Sequence, residues 1–564
     1  MKKFITIVLT AAILFSTAAM GVCAKDNELK ICVASDMHYC IPDNEIHNTD
    51  TLYGYQKYLN SVTDYSRASE LMTTESGFII DAFLNEFAEN NDCNYLLVPG
   101  DMITNEFNGV KEHAVMVQKF KDFEEKSGKD IFVIDGNHDV GATISSQQFK
   151  EIYSDFGYDK AVSVDENSAS YSADLGDKYR LIALDLCDGT YLTDGTITQS
   201  RLDWLQAQIA QAKSDNKYPI VMAHYSFLMH WTAHKILDGS ILKSFNFAAA
   251  ELIADAGVRV ILTGHEHCND ATGYTTAAGN KIFEFITGAL TQYPCGYKMM
   301  TFNDEEINYE TKYVTSIDTQ SLSSQVSGYS SEQLDLLSTD LTAYSKGYIK
   351  AFLDNKLHSV LNNGIFNYQG DNEIRKILQL YVDGIKEVFD APLYGDGGIQ
   401  EQAKPYSIDI PDTQYKNCWD VVSELLAAHF AGDAAYEVKS PETQIIFHTM
   451  ALVLKTKLYP YSDEMLAKAA SAVLKPFEKE ISPSEIRDFS FEIFGTYTPV
   501  EYLVVAAATP LLYAYANDED GVNNLNGTID GYSVEYTAPQ YPFFEKLMKI
   551  INTIINYFRH FINF

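Results

Sequence analysis

The sequence predicts an α/β layered domain followed by an all-helical domain, and three observations predict it. Through the first half, short β-rich apolar runs alternate with helix-like segments. Past residue 330 the apolar residues change to a spacing of three and four. Several of the early apolar runs end in packets of His, Asp and Asn, a poor composition for a core. At 564 residues the chain is too long for one compact core, so two or three domains are expected.

The elements follow in order. "MKKFITIVLTAAILFSTAAMGVCAK" has Lys2 and Lys3, an apolar run from Phe4 to Phe15, and Val22 and Ala24 placed for cleavage after Ala24. This reads as a bacterial signal peptide over residues 1–24 and an exported protein; an uncleaved anchor is the alternative. From Leu29 to about Val314, "LKICVAS", "YLLVP", "IFVID", "PIVMAH" and "VRVILTG" are strand-length runs. Helices are expected at Phe78–Ala88, Val110–Glu125, Ser200–Ala212 and Phe247–Ala256, and "SASYSADL", "YRLIALDL", "KIFEFITG" and "YKMMTFNDEEINYETKYV" look like hairpins. "SIDTQSLSSQVSGYS" reads as a linker. One helix is then expected over Ser330–Leu353, with Ser330 and Gln333 placed for a capping box. Others follow at Glu373–Phe389, Trp419–Phe430, Glu442–Lys457, Ser462–Phe477 and Val500–Tyr515, and "NDEDGVNNLNGTIDG" reads as a polar loop. The resulting division is an α/β domain at 25–318, a helical accessory domain at 330–516, and an amphipathic helix at 541–564.

Charge narrows the partners. With 42 basic and 77 acidic residues the formal charge is −35, which repels nucleic acid and gives no help at an anionic membrane. The seven cysteines after residue 24 have irregular spacing and no C-x-x-C, so they indicate neither a disulfide framework nor a zinc knuckle; most are expected to be small buried hydrophobes.

The polar packets carry the chemistry. "ICVAS" leads into Asp36-Met37-His38, "YLLVP" into Gly100-Asp101, and "IFVID" into Gly136-Asn137-His138-Asp139. "PIVMA" leads into His224, and "VRVILT" into Gly264-His265-Glu266-His267. Ligands of open α/β sheets bind beyond the carboxyl ends of the strands, so the packets are expected to converge on one edge if their strands are parallel neighbours. Imidazole, carboxylate and amide together suit two close transition-metal ions better than Ca²⁺ or a thiolate-bound zinc. In Asp-x-His and His-x-His an extended backbone would point both ends to one side.

In this order, D-x-H, G-D, G-N-H-D, a lone His and G-H-x-H resemble the calcineurin-like metallophosphoesterases. The resemblance spans Asp36 to His267 and implies a four-layer α/β/β/α sandwich, hydrolysis of a phosphate ester, and two ions such as Fe, Mn or Zn. By position, Asp36, His38 and His267 would hold the first ion, Asn137, His224 and His265 the second, and Asp101 would bridge them. His138 would protonate the leaving group, with Asp139 orienting its ring. Thr104 stands where purple acid phosphatases carry Tyr, and "GNHDV" differs from the G-N-H-E-F-D of periplasmic 5′-nucleotidases. "PGDMITNEFNGVKEH" resembles secreted or cytosolic cyclic-nucleotide-phosphodiesterase-like bacterial proteins. The expected substrate is therefore a small phosphodiester, with a monoester as the alternative; a binding protein on the same scaffold is the rival from another class.

Around this set, His230, Trp231 and His234 either line a substrate pocket or form an ordinary loop. His113 on the helix after Asp101 suggests a supporting role. The Tyr- and Asp-rich stretch after Tyr39 could cover the site as a lid. The terminal "FFEKLMKIINTIINYFRHFINF" sets a broad apolar face against a basic one. It fits either a membrane- or partner-binding helix or one docked on the helical domain.

Overall fold

The computed structural model describes residues 28–41, 70–90, 93–104, 109–187, 195–230, 244–363, 372–432, 440–453 and 522–533, with a few single positions between 456 and 482. The signal peptide, the stretch after Ile41, Trp231, His234, the helix expected at 500–515 and the terminal helix lie outside the described residues, as does most of the helix expected at 462–477.

Among the described residues, thirteen strands form two mixed sheets. In chain order they are β1 (Leu29–Val33), β2 (Tyr95–Val98), β3 (Asp130–Val133), β4 (Ala161–Val164), β5 (Tyr171–Leu175), β6 (Tyr179–Leu184) and β7 (Tyr218–Ala223). Then come β8 (Val260–Thr263), β9 (Asp270–Thr275), β10 (Lys281–Ile286), β11 (Gly296–Phe302), β12 (Glu306–Tyr313) and β13 (Asn526–Asp530). One sheet runs β13-β12-β11-β1-β2-β3 and the other β4-β5-β6-β7-β8-β10-β9. β1, β2 and β3 are parallel neighbours, as are β6, β7 and β8. Their interiors are apolar at nearly every position because both faces are covered, which is why these runs do not alternate. One apolar cluster includes residues of both sheets, from Ile31 and Leu97 to Ile220 and Leu262.

The helices between strands bury one stripe each. α1 (Ser76–Glu89) buries Ile79, Ile80, Phe83, Leu84 and Phe87. α2 (Gly109–Ser127) follows β2, and α3 (Ser146–Ile152) opens on a Ser145–Gln148 capping box. α4 (Gln199–Ser214) is capped by Thr198, whose side chain accepts from the Arg201 N–H, and it buries Leu202, Leu205 and Ile209 as the spacing requires. α5 (Ser244–Ala256) precedes β8.

Two loop expectations are corrected. The stretch read as a linker contains α6 (Thr319–Gln325), started by the Asp318 carboxylate accepting from the Gln320 and Ser321 N–H groups. The stretch read as a polar loop contains β13, which pairs antiparallel with β12 on the edge of the first sheet. Tyr532 just beyond it stacks on Tyr218, with ring centroids 4.7 Å apart, and donates to the Pro219 carbonyl.

The Ser330–Gln333 capping box forms as expected and starts α7 (Ser331–Thr339). The single helix expected over Ser330–Leu353 is broken at Asp340, whose φ of −152° leaves the helical region. The Asp340 carboxylate accepts from the Ala343 N–H and starts α8 (Leu341–Asn363). α9 (Asn372–Asp390), the short α10 (Ile399–Ala403), α11 (Cys418–Ala431) and α12 (Pro441–Val453) complete the described helices. Residues of α9 to α12 build a second apolar cluster around Trp419, Leu425 and Leu452. Leu337, Leu341, Tyr344 and Tyr348 join the main core instead. Among the described residues no helix is long and apolar enough to cross a membrane. All seven cysteines there are buried.

Candidate metal centre

The five packets meet, but not on one sheet edge. Three follow β1, β2 and β3 of one sheet, and two follow β7 and β8 of the other. Backbone pairing continues past the strand ends and holds the loops in register. The Asp36 N–H donates to the Gly100 carbonyl at 3.2 Å, the His38 N–H to the Asp101 carbonyl at 3.0 Å, and the Gly264 N–H to the His224 carbonyl at 3.1 Å.

The backbone that aims the side chains is not the extended one expected. Asp36, His38, Asp101, His265 and His267 have φ between 43° and 70°, the left-handed region, and they are five of the eight such non-glycine residues described. So costly a conformation is held only where the surroundings enforce it, and here it turns both ends of D-x-H and H-x-H inward. Two glycines leave no room for a side chain. A Cβ on Gly136 would stand 2.1 Å from Asp101 Oδ1, and one on Gly264 would stand 2.3 Å from Asp36 Oδ2.

The seven expected ligands form two groups joined by one carboxylate. In the first, His38 Nε2 lies 3.0 Å from His267 Nε2, which is 3.4 Å from Asp36 Oδ1. In the second, Asn137 Oδ1 lies 3.0 Å from both His224 Nε2 and His265 Nδ1. Asp101 Oδ2 stands between them, 3.7 Å from His38 Nε2 and 3.3 Å from His224 Nε2. Asp36, His38, Asp101 and His267 offer ligand atoms all within 4.8 Å of one another.

These atoms face one another acceptor to acceptor, which tests their fitness for a cation. His224 Nδ1 donates to the Pro99 carbonyl at 2.9 Å, so the lone pair of a neutral ring is on Nε2, pointing at the Asp101 carboxylate. His267 repeats the arrangement: Nδ1 lies 3.1 Å from a Glu70 oxygen, leaving Nε2 to face Asp36. Only a proton or a metal ion between such pairs makes the contact favourable. Burial opposes charge on His224, but Asp101 overrides it and pushes the ring up to about 9. Burial takes His38 and His265 down, to about 3 and about 4, leaving neutral imidazoles suited to ligation. The donor set fits two transition ions.

Asn137, His138, His265 and His267 are partly exposed while Asp36, His38, Asp101 and His224 are buried, so the site opens on the side of the first four. The His138 ring stands edge-on to His38, centroids 4.9 Å apart. The expectation that Asp139 steers this ring is corrected. Asp139 Oδ1 accepts from the Met102 N–H and Oδ2 from the Gly136 N–H, which tie the packets after β2 and β3 together. The His138 ring is oriented by its Nδ1, which donates to the Thr104 carbonyl at 2.9 Å.

Other residues resolve as well. His113 contacts the Asp139 carbonyl through Nε2 and the Tyr153 hydroxyl through Nδ1, one step behind the site. His230 is buried, with Nδ1 2.6 Å from Asp270 and Nε2 3.5 Å from Glu284. Glu70, which the sequence reading missed, touches His267 across 197 positions and belongs to no motif.

Comparison with known proteins agrees with this geometry. Residues 29–269 match the family model of the calcineurin-like phosphoesterases, a span that includes every residue of the site. No curated protein matches the chain. Among solved structures, a dimetal phosphatase from Danio rerio is similar at 11% identity and a TM-score of 0.37, covering 51% of this chain and 96% of that one. A purple acid phosphatase from yellow lupin is similar at 9% identity and a TM-score of 0.32, covering 54% and 53%. The phosphopantetheinyl hydrolase of Mycobacterium tuberculosis is similar at 11% identity and a TM-score of 0.23, covering 46% and 90%. Two mixed sheets, a converged His–Asp–Asn set and the family match together make residues 29–269 a calcineurin-like phosphoesterase, a hydrolase acting on phosphate esters.

Proposed function

We propose that this protein is an exported phosphoesterase whose two metal ions are held by Asp36, His38 and His267 on one side and Asn137, His224 and His265 on the other, with Asp101 shared. The observation that carries the reading is the place of Asp101 Oδ2, within 3.7 Å of a ligand atom of each group. When bound, such ions neutralise the ester and generate a nucleophile from water near neutral pH. Fe, Mn and Zn all suit the donors.

The chain's own residues do the rest. Buried Asp101 and Asp36 set the charge of the site, and the partly exposed side admits an anionic ester. His138 protonates the departing oxygen from Nε2, because its Nδ1–H is committed to Thr104. The "PGDMITNEFNGVKEH" segment supports a small phosphodiester as substrate, and the N-terminal segment supports export.

The test is a panel of a model diester, a model monoester and cyclic nucleotides, each assayed with Mn, Fe or Zn added to metal-free protein. Hydrolysis of the diester is expected. Activity on monoesters alone would move the substrate class to nucleotides or sugar phosphates. Asp101→Asn is expected to lower kcat by about 10³-fold or more, since it removes several kcal/mol of shared metal interaction. A binding protein built on this scaffold would show no turnover to lose.

A further inference from the structure

We propose that Glu70 is a positioning residue for His267, committing its ring to the tautomer that can bind the first ion; the inference rests on the two-metal reading above. His267 presents Nε2 to Asp36 and His38, so its metal-binding lone pair must be on that nitrogen. The opposite nitrogen, Nδ1, has two neighbours at 3.1 Å: Glu70 Oε1 and Gln292 Oε1. They are not equivalent. A glutamine can turn its amide and offer either an acceptor or a donor to Nδ1, so it fixes no tautomer. A carboxylate only accepts. With Glu70 in place, Nδ1 carries the hydrogen and Nε2 is free for the ion, the carboxylate–histidine–metal relay of known metal sites.

Glu70 is placed for this by its backbone. The Met72 N–H donates to the Thr291 carbonyl at 2.8 Å, next to Gln292. The Leu71 carbonyl accepts from the Tyr348 hydroxyl at 3.0 Å, and the Glu75 carboxylate accepts from Tyr329 and Tyr344 at 2.7 Å each. The segment that presents Glu70 is therefore held on one side by the loop of Gln292 and on the other by α8 and by Tyr329, two residues ahead of α7. Of the other candidate ligand rings, His224 has a backbone carbonyl for the same purpose, and His38 Nδ1 is buried without a partner. Of these three rings, His267 is the one whose tautomer a carboxylate sets.

The test compares metal-free wild type with Glu70→Gln and Glu70→Ala by calorimetric Mn²⁺ titration and by thermal melting without metal. Wild type is expected to take up two ions. Both variants are expected to bind one ion 10- to 100-fold more weakly while the other is unchanged within twofold, with metal-free melting close to wild type. Glu70→Asp, which keeps a carboxylate, is expected to recover part of the loss. Two ions bound with wild-type affinity in Glu70→Gln would overturn the role of Glu70 alone, and so would a loss spread equally over both. Wild type that takes up no Mn²⁺ would overturn the metal reading and this inference together.

Discussion

At the scale of single residues, the site separates groups that touch the reaction from groups that hold them. Among the described residues, His138 is the one partly exposed imidazole beside the donor set that belongs to neither group of expected ligands. Its Thr104 contact fixes which nitrogen faces outward, and that assigns it the leaving-group proton. A proton donor matters in proportion to how badly the leaving group needs a proton. His138→Ala is therefore expected to slow hydrolysis of an alkyl ester by about 10²- to 10⁴-fold and of a p-nitrophenyl ester far less. Equal losses on the two esters, measured as kcat/KM at saturating metal, would remove His138 from the acid role. Asp139, adjacent in sequence and expected to share the task, bridges the backbones of Met102 and Gly136 instead.

At the scale of elements, the sequence announced the strands and the motif residues but not the conformation that makes them useful. "IFVID" and "VRVILTG" show their burial in their composition, because a strand covered on both faces must be apolar throughout. That their ends belong to two sheets is not visible locally, since it depends on β11 returning beside β1 and on β10 lying between β8 and β9. Nor does residue type reveal the left-handed backbone at Asp36, His38, Asp101, His265 and His267. The Asp340 break and α6 were legible in principle. In both, an aspartate stands where its carboxylate caps the next turn, a signal that the apolar spacing conceals. Glu70 was not legible: its meaning comes from a contact 197 positions away. The glycines of the packets carry the clearest consequence. A Cβ on Gly136 would meet the Asp101 backbone nitrogen at 2.5 Å as well as its carboxylate, so turning the side chain aside cannot relieve the clash. Gly136→Ala is expected to displace Asp101, to lower bound metal after dialysis below two ions per chain, and to cut activity at least about 10²-fold. Elemental analysis with full metal occupancy in this variant would show that the loops have room the geometry denies them.

At the scale of the whole molecule, the helical region and the catalytic sheets share a core rather than meeting as strangers. Leu337, Leu341, Tyr344 and Tyr348 pack with the strands, β13 returns from beyond the helices to the edge of the first sheet, and the Asn269 N–H, two residues after His267, donates to the Phe430 carbonyl at the end of α11. The most sensitive point of this joint is Glu75 at the start of α1. It is fully buried, both tyrosine hydroxyls from the helical side donate to its Oε1, and its Oε2 has no partner. Burial raises its carboxyl above the ordinary 4.5, against the pull of the two tyrosines. The sign follows from linkage. Above pH 4.5 the unfolded chain releases this proton while the folded chain retains it, so the folded state binds more protons and stability falls as pH rises through that window. Glutamine keeps an acceptor for both tyrosines and never ionises. Glu75→Gln is therefore expected to melt close to wild type near pH 4, and to exceed it by a margin that grows with pH until the Glu75 carboxyl of folded wild type has itself ionised, then stays constant. Thermal melts of the two proteins from pH 4 to pH 8 measure that difference directly, and a margin that shrinks or reverses with rising pH would mean that Glu75 is ionised in the fold and that the tyrosines, rather than a retained proton, answer its charge.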